Sequence, residues 1–216
     1  MSAVVQRAGA RSLHSRKQDF VRSAIWDAAV DLFARTGFEE TTVEGIARAA
    51  GVSTRTFFRY FASKNDLMGH GMVAYRTLLV DAIREAPAAL PPLELVRHTV
   101  HRVAADAASS PRLRQIVQIS RSSVAAREAQ LSRRGELENA VAQAFAVRCR
   151  IPAADDATPR LLLGLTLSIL DVAFRVWANH ADADIVTTTE EVFVRLKALT
   201  AGAVSRPSPR PARRSR

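Results

Sequence analysis

The chain has 216 residues, 48% of them hydrophobic and 24% charged, with one cysteine and a formal net charge of +10. That length holds one sizeable core or two small ones; the lone Cys149 excludes an internal disulfide and fits a reducing compartment. No run reaches the ~18 consecutive apolar residues of a membrane span, and no apolar segment follows the basic N-terminus as in a secretory signal, so the expected location is the cytoplasm.

The charge is unevenly placed. Arg7, Arg11, Arg16 and Lys17 stand without an acid in residues 1–18, and Arg206, Arg210, Arg213, Arg214 and Arg216 without one in 205–216. The body between them is close to neutral. The C-terminal tail carries Pro207, Pro209 and Pro211 and reads as a disordered basic segment. The N-terminal arm adjoins the first helix, where a polyanionic partner is plausible.

The pattern in between is all helical, with no sustained alternation and no hairpin dipeptide. The first helix is predicted from about Lys17 to Thr36, with Val21, Ile25, Ala29, Leu32 and Phe33 on one apolar face, ended by Gly37. Thr42 starts a short helix, Val43 to Ala50, and Gly51 turns the chain. Ser53 is a good N-cap for a third helix reaching Phe61. Ser63 to Asp66 has the form of a capping box for a fourth helix that continues to about Arg84.

Pro87, Pro91 and Pro92 mark a linker. A fifth helix is expected over Leu93 to Ala108, another opens at Ser110-Pro111, and a long one runs from about Ser122 to Arg150, with Gly135 as a point of kinking or breakage. Thr158 is the expected N-cap, with Pro159 at the first position, of a helix to about His180. It carries two apolar stripes, one of Leu161, Leu165, Ile169, Val172 and Val176, the other of Leu163, Leu167, Leu170, Phe174 and Trp177. A helix with two apolar faces must bury both. One face belongs to its own core; the other predicts pairing, together with Val192, Phe193, Leu196 and Leu199 of a last helix over about Thr188 to Ala203, with a second subunit.

Two short helices joined by a glycine turn and preceded by a longer one form a helix-turn-helix. On the third helix Val52, Phe57 and Phe61 fall to the inner side, while Thr54, Arg55, Phe58 and Arg59 fall outward. That outer side is short, polar and cationic with one aromatic, which suits the DNA major groove.

Phe33, Gly37, Thr41-Thr42-Val43, Ile46-Ala47, Ala50-Gly51-Val52-Ser53, Thr56, Phe57, Tyr60-Phe61 and Ser63-Lys64-Leu67 resemble the N-terminal domain of TetR-type transcriptional regulators over about residues 18–69. The "RTFFRYFASKNDL" stretch resembles that of mycofactocin-type regulators. The resemblance implies a homodimer that places one recognition helix in each half-site of a palindromic operator and binds a small effector in its C-terminal domain; the expected function is a repressor released by that effector, and the likeness to mycofactocin-type regulators points to a lipophilic one. Residue by residue it implies phosphate contacts at Thr42, Thr56 and Lys64, base reading at Thr54 and Arg55, and a contribution from the cap Ser53. It further implies a sugar or thymine-methyl contact at Phe58, phosphate or base at Arg59, and phosphate or packing at Tyr60.

The expected organisation is therefore a basic arm (1–16), a helix-turn-helix domain (17–69), an effector and dimerisation domain (70–204) and a basic tail (205–216), about nine helices in all. Phe145, Asp171, Phe174 and Trp177 are the candidate effector residues. His98 and His101 have metal-ligand spacing on one helix face, but no third ligand is placed, and neither a metal nor a cofactor is expected. No phosphate loop, facing carboxylate pair or Gly-x-Ser-x-Gly occurs, so an enzyme is not expected. The competing reading is a helical ligand-binding or scaffolding dimer that does not bind DNA.

Overall fold

A computed structural model of the chain describes residues 13–201. The basic arm's Arg7 and Arg11 and the whole 205–216 tail lie outside those residues. The described chain is all helical: α1 (Leu13–Thr36), α2 (Val43–Ala49), α3 (Thr54–Tyr60), α4 (Lys64–Arg84), α5 (Pro92–Ala108), α6 (Pro111–Ser122), α7 (Val124–Leu131), α8 (Arg134–Arg148), α9 (Ala157–Asn179) and α10 (Ile185–Thr200).

The N-terminal elements follow their local signals. Gly37 takes a φ of 88° and its N–H closes on the Phe33 carbonyl at 3.1 Å, ending α1. Thr42, Ser53 and Ser63 each accept the N–H three residues on, at 3.1, 3.1 and 3.0 Å, and so start α2, α3 and α4. Gly51, with φ 68°, supplies the left-handed residue between α2 and α3 that a β-carbon would disfavour. The Asp66 carboxylate reaches back to the Ala62 N–H at 3.1 Å, one residue earlier than a standard capping box.

Ile25, Ala29, Val30 and Phe33 of α1 are buried with Phe38, Ile46, Phe57, Phe61, Leu67 and Met68. The same core contains Ile119, Ala126 and Ala129 from α6 and α7. The α6–α7 pair thus closes the underside of the helix-turn-helix. Polar tethers reinforce it: Arg112 bonds Asp27 at 3.1 Å and Asp31 at 2.9 Å, Ser123 donates to Glu39 at 2.5 Å, and Arg133 bonds Asp66 at 2.7 Å.

A second core lies between α4, α5, α8, α9 and α10, around Leu79, Ile83, Leu95, Val100, Leu137, Val141, Phe145, Leu163, Leu170 and Phe193. α4 spans both cores, with Leu67 and Met68 in the first and Leu79, Val80 and Ile83 in the second.

Four boundaries depart from expectation, the first being that of α1, which begins at Leu13, inside the expected arm 1–16, and not at Lys17. The single helix expected over Ser122–Arg150 is two, broken at Ser132–Arg133 and not at Gly135. A β-carbon at Gly69 of α4 would lie 3.2 Å from the Ala129 carbonyl oxygen. Ser132 bonds that same carbonyl at 2.7 Å while Arg133 turns to Asp66. The break is therefore made by packing on α4. Thr158 is not the cap of α9; the helix follows Asp156, whose side chain makes no cap bond, and Asp155 one residue earlier does the capping, accepting from the N–H groups of Ala157 (3.1 Å) and Thr158 (3.0 Å) and from the Thr158 hydroxyl. The last helix starts at Ile185 because Asp184 caps it through Thr187 N–H at 2.7 Å.

Phe57 and Phe58 are adjacent yet opposite in environment, fully buried and 54% exposed respectively. Phe57→Ala is expected to lower unfolding free energy by about 3–5 kcal/mol, and Phe58→Ala by about 0.5 kcal/mol or less. Urea unfolding of the two variants, compared with the unaltered chain, measures both.

Candidate nucleic-acid interface

Ser53 orders the start of α3 through two contacts, accepting from the Thr56 N–H and sharing a 3.0 Å bond with the Thr56 hydroxyl. Seven residues make only two turns, so the orientation of α3 depends on what it buries. Phe57 does this from within, 5.9 Å from the ring of Phe61, which follows α3 and is itself buried. With that side fixed, Arg55, Phe58 and Arg59 are turned to solvent. Thr54 and Thr56 are half-buried beside them. Arg55, Thr56, Phe58 and Arg59 line one shallow concave surface.

Tyr60 is half-buried at the end of α3. The Arg59 guanidinium lies 5.1 Å from its ring centroid and that of Arg22, on α1, lies 6.0 Å away. Arg22 is a member of this surface that the sequence reading missed. Its position hid it: Arg22 stands three residues before Ile25 and seven before Ala29, on the same face as those core residues and one turn nearer the open end of the helix. Thr42 is exposed at the start of α2, where its hydroxyl oxygen is engaged by the Gly45 N–H.

Several guanidiniums of the C-terminal body are paired, Arg76 with Glu136, Arg97 with Glu190, Arg134 with Glu138, Arg160 with Asp156 and Arg175 with Asp171, while others, such as Arg84, Arg102 and Arg195, meet no carboxylate among the described residues. Among the described residues no carboxylate pairs with Arg22, Arg55 or Arg59. Their charge is left for something outside the chain.

Lys64 sits differently from a residue reaching outward to phosphate. Its ammonium donates to three carbonyls, Phe38 and Glu39 at 2.8 Å and Thr41 at 3.1 Å, and lies 4.9 Å from the Phe38 ring. In this arrangement it ties the α1–α2 turn to the start of α4. Around it, the Ser123 hydroxyl above all holds the Glu39 carboxyl below its ordinary range. Burial raises the Asp66 carboxyl, but hydrogen bonds from Arg133 and the Ala62 N–H outweigh it and leave it depressed. His70 packs edge-on against Phe61 and Trp26; burial first, then the charge of Arg22, lowers its pKa.

The four effector candidates do not converge. Phe145 is fully buried in the second core. Trp177 belongs to a separate cluster with Ala104, Ala107, Ala173 and Ile185, under the Arg114 guanidinium at 4.3 Å. Phe174 packs between the two clusters, 6.2 Å from Trp177. Asp171 is exposed and paired with Arg175 at 2.7 Å. Only Phe174 and Trp177 meet; Phe145 on α8 lies in the other core and Asp171 faces solvent. Tyr75 was overlooked: burial, with the Asp171 charge second, pushes its phenol well above the ordinary range. His101 joins Arg97 on Glu190, linking α5 to α10, and no group of three His, Cys, Asp or Glu suited to a metal occurs among the described residues.

Residues 25–70 match the family model for bacterial regulatory proteins, tetR family. The HTH-type transcriptional regulator TcmR of Streptomyces glaucescens is 31% identical over 183 residues, 80% of either chain. MftR of Mycobacterium tuberculosis, named for mycofactocin biosynthesis, is 50% identical over 50 residues, 23% of this chain and 25% of that one. Among solved structures, the fatty acid degradation regulator FadR of Bacillus halodurans is similar with a TM-score of 0.61 and 21% identity, covering 92% of this chain and all of that one. FadR of Bacillus subtilis, solved in complex with stearoyl-CoA, gives 0.60 and 21% over 83% and 98%. These two likenesses concern the fold alone.

Replacing the Lys64 ammonium removes a charged donor from three carbonyls. Lys64→Met is expected to cost about 1.5–3 kcal/mol and to speed amide exchange over residues 38–42. Urea unfolding and hydrogen exchange are the checks; unchanged protection would mean that the ammonium does not hold the turn.

Proposed function

Because the chain belongs to the TetR family of bacterial regulatory proteins, we propose that it is a homodimeric repressor that reads a palindromic operator with α3 and is released by a small lipophilic effector. The observation that carries the DNA reading is the uncompensated, outward pair Arg55 and Arg59 on a helix anchored by Phe57. Thr54 and Arg55 are assigned base reading, with Arg55 on guanine. Thr42, Ser53, Thr56 and Tyr60 are assigned phosphate contact or its support, and Arg22 joins them from α1. Lys64 is assigned to positioning.

The dimer reading is supported by an apolar strip that the chain itself leaves uncovered. Leu162, Thr166, Ile169, Leu170, Ala173 and Trp177 fill one side of α9. Ile169, from the stripe of Leu161, Val172 and Val176, is one of them. On the other side Leu161 is 66% and Val172 44% exposed, with Val176 beside them and Val194 and Leu199 exposed on α10. By length and hydropathy alone α9 passes for a membrane span; its inner face in the bundle and an outer face covered by a second copy account for the same composition. Phe193, expected at the interface, is core instead. A two-fold dimer sets its recognition helices roughly 34–36 Å apart, one turn of DNA, or a multiple of it.

Coupling follows from geometry. α4 runs through both cores, and α6 holds α1 through Arg112 while Arg114 covers Trp177 and bonds the carbonyls of His180, Ala181 and Ala183 beyond α9. An effector entering between α4, α5, α8 and α9 meets Leu79, Val100, Phe145 and Leu170, so its buried part must be apolar. If it favours a different spacing of the two heads, linkage weakens DNA binding by the same factor.

Arg55→Ala is expected to lose about 1–3 kcal/mol of discrimination between the preferred site and random DNA while keeping most non-specific affinity; competition titrations measure it, and an unchanged ratio would reject base reading by Arg55. Val172→Asp is expected to halve the mass seen in sedimentation without lowering helix content. A dimer that survives the charge would place the interface elsewhere.

A further inference from the structure

One charged pair interrupts the apolar strip that α9 leaves uncovered. Asp171 and Arg175 stand on the flank of that strip, beside Val172 and Val176, and bond each other at 2.7 Å with side chains 64% and 62% exposed. One guanidinium nitrogen and one carboxylate oxygen make the bond, and neither side chain has another hydrogen-bond or ion-pair partner among the described residues. An exposed pair one turn apart on a helix adds little to stability. The fold itself therefore gives no reason for charges among these valines.

Two-fold symmetry gives one. When a helix packs on its own copy about a two-fold axis perpendicular to it, the two run antiparallel, and residues equally far before and after the axis face each other. A lone charge at the axis would meet itself. An acid and a base one turn apart instead meet each other's copies. Asp171 and Arg175 straddle Ala173, and Val172 and Val176 straddle Phe174. Both pairings set the axis at the same level within one residue. Each pair also keeps to one flank of the helix, because its members are about one turn apart. A parallel arrangement would set Asp171 level with Asp171 of the second copy.

We propose that in the dimer Asp171 of each copy binds Arg175 of the other, closing a ring of alternating charges across the two-fold that selects a second copy of this chain as the partner of α9. It rests on the reading that the outer face of α9 is the dimer face. The guanidinium keeps unused donors and the carboxylate an unused oxygen, so the bond within the chain persists while the one between copies forms. Covered charges add little net affinity, but a covered charge left unpaired is costly. The ring thus acts through register and partner choice. A related helix without this acid–base spacing would bury a bare charge against it.

The test uses the full chain in sedimentation equilibrium, with circular dichroism to confirm helix content. Asp171→Arg and Arg175→Asp each set like charges against one another in the homodimer, and each is expected to weaken it about tenfold or more. The exchanged chain, Asp171→Arg with Arg175→Asp, is expected to regain most of that affinity. Equimolar mixing of the two single variants, one carrying a mass tag, is expected to give more heterodimer than either homodimer by native mass spectrometry. Single variants that dimerise like the unaltered chain, an exchanged chain as weak as they are, or a mixture that pairs at random overturns the ring, while a monomeric Val172→Asp keeps the interface. A Val172→Asp chain that stays dimeric overturns the interface and the ring together.

Discussion

Two buried phenyl rings decide what the recognition surface is. α3 is too short to be stable alone, and its capping serine fixes only where it starts. Phe57 and Phe61 fix how it is rotated, because each is inserted into a core shared with Ile25, Phe33, Ile46 and Leu67. The heptapeptide Thr54–Tyr60 can then place two guanidiniums outward without a compensating carboxylate. Neither guanidinium meets a carboxylate among the described residues, and so both are available to a polyanion.

The head is not closed by its own helices. Ile119, Ala126 and Ala129 complete its core, and Arg112, Ser123 and Arg133 tie its rim. A rotation of α6 or α7 would therefore disturb the seat of α3 directly, besides any movement carried along α4. The tight contact at Gly69, where α4 crosses the Ala129 carbonyl, makes the α4–α7 junction stiff. Stiffness there suits a head that moves as one piece with the α6–α7 pair against the α5, α9 and α10 layer.

What the sequence disclosed was mostly local chemistry. Gly37, Gly51 and the caps Thr42, Ser53 and Ser63 state their roles within three or four residues, and the inward–outward split of α3 follows from helical period alone. What it withheld depends on distant partners. The break at Ser132 arises from α4, not from Gly135. Asp155 outcompetes Thr158 as a cap because the loop lets one carboxylate reach two N–H groups and a hydroxyl. Lys64 meets carbonyls that precede it by more than twenty residues, and so looked free. Phe145, Phe174 and Trp177 share a spacing that is the same for core as for cavity, and only the packing separates them.

Methylation interference by dimethyl sulfate addresses the central claim most directly, because the reagent modifies guanine N7 in the major groove and adenine N3 in the minor groove. The outward guanidiniums of a pinned α3 require that N7 methylation of guanines in two clusters, about one helical turn or a multiple of it apart, blocks binding by the full chain. Interference confined to adenine N3, or N7 methylation without effect on a sequence the chain selects, would contradict an α3 that meets DNA through Arg55 and Arg59.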